Sequence, residues 1–168
     1  VSVTKPKGVN LCIPTRIYDG EDLLVTEGEM PTNTLFAGTA LKGGMVIHSI
    51  NGIKYKSPKQ GRALIRALQE GPECQITIVA SYVSVTVNKP AGGSLGADIG
   101  TYPGEKEIAV KSMRPESPFI GTSLKVGMVV LTINGQTYKD FNEGMNLLLR
   151  VEGQITIIAK YHPMPKPK

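Results

Sequence analysis

The sequence predicts a mostly β fold with short helices (α+β), built as two small β-barrel or sandwich domains of about six strands and two helices each. The main observation is an internal repeat: Gly44-Met45-Val46 and Ile50-Asn51-Gly52 return 83 positions later as Gly127-Met128-Val129 and Ile133-Asn134-Gly135. The second is composition, since 40% apolar residues with 19 Gly and 12 Pro suit a compact, turn-rich β protein. A repeat of about 80 residues exceeds a solenoid unit and is long enough to close its own core.

The repeat divides the chain of 168 residues into three parts. We expect domains at 1–81 and 82–161 and an extended Pro/Lys tail at 162–168. The stretch 76–87 contains no Gly or Pro and is β-prone throughout, so the last strand of the first domain should run directly into the first strand of the second. We therefore expect the two domains to form one fixed unit.

The first half of each copy should consist of strands around a loop. An alternating strand leads into a Pro/Gly loop, two further strands follow, and a Pro/Ser-rich stretch leads into a short helix. In the first copy the strand is predicted at 1–4, the loop at 5–10, the two further strands at 11–17 and 23–26, and the short helix at 34–37. In the second copy the same elements are predicted at 83–87, 89–96, 97–101 with 108–113, and 118–122.

The second half of each copy should contain a hairpin-type turn and a longer helix. A β run ends at an Asn-Gly dipeptide, which tolerates positive φ and strongly indicates a reversal of the chain. Apolar residues at helical spacing then predict a helix, and a last strand closes the domain. The predicted runs are 45–50 and 128–133, the helices 58–69 and 141–150, and the last strands 75–80 and 154–161.

Charge and cysteine content exclude several classes of function. The net charge of +5 is scattered and there is no Trp, so a nucleic-acid partner is not expected. No apolar run is long enough for a transmembrane segment. Cys12 and Cys74 lack CxxC spacing, which favours a reducing soluble compartment, the cytoplasm or a plastid interior, without identifying it further. A chain that begins at Val1 also indicates a trimmed N-terminus.

Catalytic chemistry is not expected. His48 lies in the middle of a predicted strand, where a solvent-facing or locally hydrogen-bonded side chain is the default interpretation. No carboxylate pair, Cys/His nucleophile pair or metal-ligand spacing occurs in the sequence. The sequence therefore predicts no enzyme, no metal site and no cofactor.

The order of the elements carries a family resemblance. The central segment of PDZ domains is similar to residues 108–118 and to the run from Gly121 through Leu124-Lys125-Val126-Gly127 to Asn134-Gly135. The last strand of PDZ domains is similar to Gly153-Gln154-Ile155-Thr156-Ile157. The first copy matches over 38–52 and 75–80. The chain thus resembles a tandem pair of PDZ domains.

This resemblance implies a protein-interaction site. PDZ domains bind by β-augmentation: the C-terminal tail of a partner adds as a strand beside the second strand and lies against the second helix, and its carboxylate rests on loop amides. By resemblance, the carboxylate loops are Gly8-Val9-Asn10-Leu11 and Ser94-Leu95-Gly96-Ala97. Upstream basic residues would assist, and they are Lys5 or Lys7 in the first copy and Lys89 in the second.

The chain departs from the family pattern at several of these positions. Ala97 replaces a large apolar residue, which predicts a terminal pocket that accepts a large side chain, and Asn10 replaces a glycine. The helix heads carry Gln60 and Asn142 where a His would select Ser or Thr, so a Ser/Thr preference is not supported. Leu64 and Leu149 complete the predicted groove residues on the helices.

Three hypotheses follow for the function. The first is a non-enzymatic interaction module whose grooves bind protein or peptide segments by strand addition. The alternative is a self-assembling building block with degenerate grooves, a homo-oligomer or polymer forming sheets, tubes or a shell such as one around a carbon-fixing compartment. The weaker alternative is the regulatory part of a protease or transporter complex.

Overall fold

The computed structural model describes residues 1–18 and 22–162, which form two compact units, Val1–Ser81 and Tyr82–His162. Each unit contains one five-stranded antiparallel sheet and one α-helix. The predicted fold class, mostly β with short helices, is confirmed. The expected content of six strands and two helices per domain is corrected to five strands and one helix among the described residues.

The two units contain the same elements in the same order. The first has β1 (Ser2–Lys5), β2 (Thr15–Arg16), β3 (Val25–Thr26), β4 (Val46–Ile50), α1 (Pro58–Glu70) and β5 (Cys74–Ser81). The second has β6 (Val83–Lys89), β7 (Ala97–Gly100), β8 (Ala109–Met113), β9 (Met128–Ile133), α2 (Phe141–Arg150) and β10 (Gly153–Tyr161).

The strand order leaves one short strand at an edge of each sheet. The orders are β1-β5-β4-β3-β2 and β6-β10-β9-β8-β7, and every strand pairing among the described residues is antiparallel. In each sheet the edge strand β2 or β7 pairs with a single neighbour among the described residues. Its other side is therefore open to an added strand, as is the outer side of β1 or β6 at the opposite edge among the described residues.

The Asn-Gly turns form as predicted. Asn51 and Gly52 have φ of 48° and 76°, and Asn134 and Gly135 have 49° and 76°, the left-handed pair that a tight hairpin turn requires. Each Asn also accepts a hydrogen bond across the sheet, from the Thr77 amide at 2.7 Å in the first copy. These side chains fix the turn against the last strand.

The helices begin and end close to the predicted positions. The bounds of α2 agree with the prediction, and α1 ends one residue later. Ser57 and Asp140 are the N-caps and accept from the amide three residues on. Each helix has a buried glycine, Gly61 or Gly144, packed against a tyrosine: a Cβ at Gly144 would lie 2.9 Å from Tyr138 Cδ2 and 2.5 Å from Ile108 Cδ1.

The two predicted short helices are wrong. In their place the chain makes overlapping four-residue turns, with the Ala37 amide donating to Thr34 O and the Thr39 amide to Phe36 O, both at 3.1 Å. Gly38 follows at φ 72°, and its counterpart Gly121 at 78°, so the left-handed residue ends the turn before a helix can propagate.

The predicted strands 11–17 and 23–26 are reduced to two residues each. Cys12 has φ 43°, which is not strand geometry, and Pro14 lacks the amide hydrogen of a ladder donor. Leu11 nevertheless enters the core of the first unit, together with Leu24, Phe36, Ile47 and Ile76.

Candidate functional site

The open edge of β7 presents a main-chain donor and acceptor at Ala97. Ala97 pairs with Met113, and the flanking bond runs from the Arg114 amide to Gly96 O at 2.7 Å. In an antiparallel ladder, bonded and non-bonded pairs alternate, so Ala97 lies in a non-bonded pair. Its N–H and C=O are therefore directed away from β8, toward the free edge.

The loop before β7 is held by its own side chains. The Gly96 amide donates to Ser94 Oγ at 3.0 Å, and Ser117 Oγ donates to Leu95 O at 2.7 Å. Within the described part of the chain the Leu95 amide has no hydrogen-bond partner. Of the amides predicted to capture a carboxylate, that of Gly96 is thus used within the loop, while those of Leu95 and Ala97 remain.

Glycine is required at position 96. Its φ is 61°, and a Cβ there would lie 3.0 Å from Ser117 Cα. The backbone of the loop can therefore pack directly against the chain that follows β8.

The corresponding loop of the first unit has a different construction. Asn10 Oδ1 accepts from the Cys12 amide at 3.0 Å, and the Val9 amide donates to Pro6 O at 3.4 Å. Gly8 is exposed with φ 78°, whereas the Leu11 side chain is 1% exposed. Of the first-copy residues predicted to receive a carboxylate, Val9 and Asn10 therefore form local hydrogen bonds in a turn, and Leu11 lies in the core.

The two upstream lysines bond to the ends of the helices. Lys5 is fully buried, and its Nζ donates to Gly71 O at 2.9 Å and Pro72 O at 3.5 Å. Lys89 is 8% exposed, and its Nζ donates to Leu148 O at 3.0 Å and Leu149 O at 2.9 Å. These ammonium groups satisfy carbonyls at the negative end of each helix dipole. Lys7 is exposed.

The predicted pair of helix-head residues, Gln60 and Asn142, is corrected by one position. Gln60 Oε1 accepts from the Lys56 amide at 2.8 Å, and Glu143 Oε2 accepts from the Lys139 amide at 2.7 Å. Gln60 and Glu143 are thus counterparts, 83 positions apart, and both side chains cap the helix start. Asn142 is exposed and corresponds to Lys59.

The exposed sides of the two helices differ in chemistry. Positions 59, 62 and 66 of α1 return 83 residues later as 142, 145 and 149 of α2, so Lys59, Arg62 and Arg66 are replaced by Asn142, Met145 and Leu149. We call these the basic rim and the apolar rim. Leu149 is 66% exposed. Leu64, predicted as a groove residue, packs against the core of the first unit.

Arg62 connects the basic rim to the edge strand β2. Thr15 pairs with Thr26, and the Glu27 amide donates to Pro14 O at 2.9 Å, so ladder alternation directs the N–H and C=O of Thr15 to the open edge. Arg62 Nη2 lies 3.5 Å from Thr15 O. The space between β2 and α1 therefore contains a guanidinium group over the outward carbonyl.

A tyrosine, buried in the first unit and half-buried in the second, holds each sheet together beside the helix, a feature that was not predicted. Tyr55 OH donates to Ile47 O and accepts from the Leu24 amide, the latter at 3.1 Å. Tyr138 OH donates to Val130 O and accepts from the Ile108 amide at 3.1 Å. Their spacing of 83 residues was the available signal, since the repeat places both before the helix N-cap.

Stability should fall at high pH because of these tyrosines. Burial raises the pKa of both Tyr55 and Tyr138 above the usual value of a tyrosine. A group whose pKa is raised in the folded state stabilises the fold below its unfolded pKa, and this contribution is lost as pH rises through the folded value. Thermal unfolding followed by circular dichroism from pH 8 to 11 should show a decline beginning near pH 10. The Tyr55→Phe/Tyr138→Phe variant should show a shallower decline, and an unchanged slope would contradict this cause.

Other polar groups form local contacts. His48 Nε2 lies 2.7 Å from Ser81 Oγ, in agreement with the predicted local hydrogen bond. Across residues 1–18 and 22–162, no group of three or more His, Cys, Asp or Glu side chains could hold a metal ion. In that same part of the chain no helix combines the length and apolar character needed to cross a membrane.

An aromatic stack lies on the segment after β7. The His162 ring stacks on Tyr102 with centroids 3.9 Å apart, and Lys111 Nζ lies 3.7 Å from the centroid of Tyr102. Tyr102 OH donates to Gly127 O at 3.0 Å. His162 belongs to the predicted tail 162–168, of which the remaining residues lie outside the described part of the chain.

Comparisons with known proteins give similarity at the level of structure. The sequence matches no protein-family model and no curated protein. The PDZ domain of choanoflagellate GIPC, solved bound to a B1AR peptide, is 22% identical, covers 52% of this chain and 98% of that domain, and gives a TM-score of 0.44. PDZ45 of INAD, in complex with an NG2 peptide, is 16% identical over 100% of this chain and 91% of that one, at 0.44. INAD PDZ3, in complex with a TRP channel tail, is 26% identical over 46% of this chain and 82% of that one, at 0.40.

Proposed function

We propose that this chain is a non-catalytic protein-interaction module whose second domain binds the C-terminal tail of a partner by strand addition to β7. The observation that carries the proposal is the pair of main-chain groups at the open edge. The main-chain N–H and C=O of Ala97 are directed outward by the ladder, and the nearby Leu95 amide has no partner among the described residues. An added strand would form hydrogen bonds with these groups.

The loop geometry suits a carboxylate. Two amides two residues apart can donate to the two oxygens of a chain terminus, and such charge-assisted bonds are about twice as strong as neutral ones. Gly96 between them has the positive φ of 61° that gives the loop this shape and packs closely against Ser117. Ser94 and Ser117 fix the loop by bonds that leave these two amides in place.

The apolar rim favours an apolar last residue. Leu149 is exposed and Met145 half-buried, so a tail that covers them removes apolar surface from water. Ala97 leaves room for a large terminal side chain such as Leu or Phe. The proposed ligand is therefore an extended tail ending in a large apolar residue.

Amidating the ligand's terminus should weaken binding at least tenfold. An eight-residue peptide ending in Val-Thr-Val-Leu would be titrated as free acid and as amide, with fluorescence anisotropy for affinity and amide shifts for location. The free acid should shift Leu95 and Ala97. Leu149→Arg, which introduces the first-domain counterpart of this exposed residue, should weaken the apolar contact without unfolding the domain. Equal affinity of acid and amide would overturn carboxylate capture.

The alternatives are not proposed. Neither the self-assembly hypothesis nor the regulatory part of a protease or transporter complex has an observation in its favour among the described residues. The same holds for a homo-oligomer.

A further inference from the structure

We infer that the first domain binds an acidic, extended segment of a partner protein, laid along β2 against the basic rim of α1. This extends the proposed function to the first domain of the chain. It does not depend on carboxylate capture by the second domain, because different residues and different ligand chemistry are involved.

The charge distribution around α1 is one-sided. Between residues 31 and 69 the sequence contains no Asp or Glu, and its cations there are Lys42, Lys54, Lys56, Lys59, Arg62 and Arg66. The first acidic residue after this stretch is Glu70, the last residue of α1. The helix α1 therefore carries three cations, Lys59, Arg62 and Arg66, against the single anion Glu70 in its last turn.

The basic rim is a single stripe on the helix surface. Lys59, Arg62 and Arg66 are spaced i, i+3 and i+7, which places them on one side of α1, and all three are exposed. None of the three takes part in a salt bridge within the described residues. Among those residues of the first domain, the cation that forms a salt bridge is Arg16, which pairs with Glu27 at 3.0 Å. Like charges at this spacing repel one another, and an anionic ligand would relieve that repulsion.

Arg62 directs the ligand to the edge strand. Its guanidinium contacts the outward carbonyl of Thr15 at 3.5 Å, a long and weak bond to a neutral acceptor. A carboxylate in the same space is a stronger, charged acceptor for Arg62. Transfer of Arg62 to that carboxylate would leave Thr15 O available to the main chain of the added strand.

The comparison with the second domain shows that the basic rim is specific to the first. The same helix positions carry Asn142, Met145 and Leu149 in the second copy. The buried features of the two helices remain equivalent, since Gly61 and Gly144 both pack against a tyrosine. The two copies therefore share a scaffold and differ in the chemistry beside the edge strand.

An extended peptide fits this edge better than other anions. The outward N–H and C=O of Thr15 pair with a main chain, whereas a lipid headgroup or a nucleic acid has no matching strand. The carboxylate loop of this domain is also altered, because the Cys12 amide is bonded to Asn10. An internal segment with acidic side chains is therefore favoured over a chain terminus.

The test uses the full chain and a defined probe. The probe is a ten-residue peptide of alternating Glu and Thr, acetylated and amidated so that it has no terminal charge, compared with the same peptide carrying Gln for Glu. We expect amide shifts at Thr15, Arg16 and residues 59–66, and affinity at least tenfold higher for the Glu peptide, falling as salt is raised.

Matched variants come from the other copy of the repeat. Arg62→Met/Arg66→Leu gives α1 the residues of α2 and should reduce affinity for the Glu peptide at least tenfold, while the free-acid peptide still shifts Leu95 and Ala97. The reverse variant, Met145→Arg/Leu149→Arg, should give the second domain affinity for the Glu peptide.

Three outcomes would overturn the inference: equal binding of the Glu and Gln peptides, unchanged binding by Arg62→Met/Arg66→Leu, or shifts of the α1 amides by phosphatidylserine vesicles or a DNA duplex but not by the Glu peptide. Failure of the free-acid peptide to bind the second domain, with the Glu peptide still bound to the first, would remove only the proposed function.

Discussion

Replacing Lys89 with methionine should lower the free energy of unfolding of the second domain by about 1.5–3 kcal/mol, the range for hydrogen bonds to a charged group. Lys89 is almost completely buried, and its ammonium donates to the carbonyls of Leu148 and Leu149. Methionine keeps the unbranched apolar stem but removes the charge at the helix C-terminus. The end of α2, beside the apolar rim, would then fray.

Native-state hydrogen exchange of the β10 amides measures this loss separately from the first domain, which matters because a two-domain chain need not unfold in one step. Lys5→Met should have the same effect on the β5 amides, since Lys5 bonds to Gly71 and Pro72. Lys7→Met, at an exposed position two residues further on, is the matched control and should change stability by less than about 0.5 kcal/mol. A loss at Lys89 no larger than that of the control would mean that the helix end is satisfied by other groups.

The elements that the sequence predicted well are those determined by local chemistry. The Asn-Gly turns require positive φ, which Asn and Gly tolerate, and both turns form. The helix α2 starts after Asp140 and has a clear apolar periodicity, so its bounds were predictable. The repeat supported these predictions further, because each turn and helix signal occurs in both copies.

The elements that were predicted poorly depend on tertiary contacts or on single residues. The strand-like run from Leu11 was expected to be long, but Pro14 and the positive φ of Cys12 leave only Thr15–Arg16 in β2. The apolar stretch near Phe36 lacks helical hydrogen bonding because Gly38 ends the turn. Its burial in the core of the first unit explains its apolar composition instead.

The candidate site was predictable in position but not in detail. The loop 94–97 does precede the edge strand, as the resemblance implied. Pairing Gln60 with Asn142 was wrong by one residue, and one residue turns a helical side chain by about 100° to another side of the helix. The burial of Lys5 and Lys89 could not be read from the sequence, since lysine is rarely fully buried unless it is paired.

Replacing Tyr138 with phenylalanine should lower the free energy of unfolding of the second domain by about 2–6 kcal/mol, since two backbone groups of buried residues lose their partner at about 1–3 kcal/mol each. Those groups are the Val130 carbonyl and the Ile108 amide, and the hydroxyl that joins them connects the residue before β8 to β9. The ring itself still packs under Gly144, so no cavity adds to the loss.

The control for this variant is Tyr82→Phe, because the Tyr82 hydroxyl has no partner among the described residues and its removal should cost less than about 0.5 kcal/mol. Exchange of the β8 and β9 amides should accelerate most in Tyr138→Phe, and Tyr55→Phe should act in the same way on β3 and β4. Because β8 holds the β7 edge, Tyr138→Phe should also weaken binding of the free-acid peptide while leaving the Glu peptide at the first domain unaffected. Equal losses from Tyr138→Phe and Tyr82→Phe would show that the bridging hydroxyl does not stabilise the sheet, and the edge at Ala97 would then depend on the strand pairing alone.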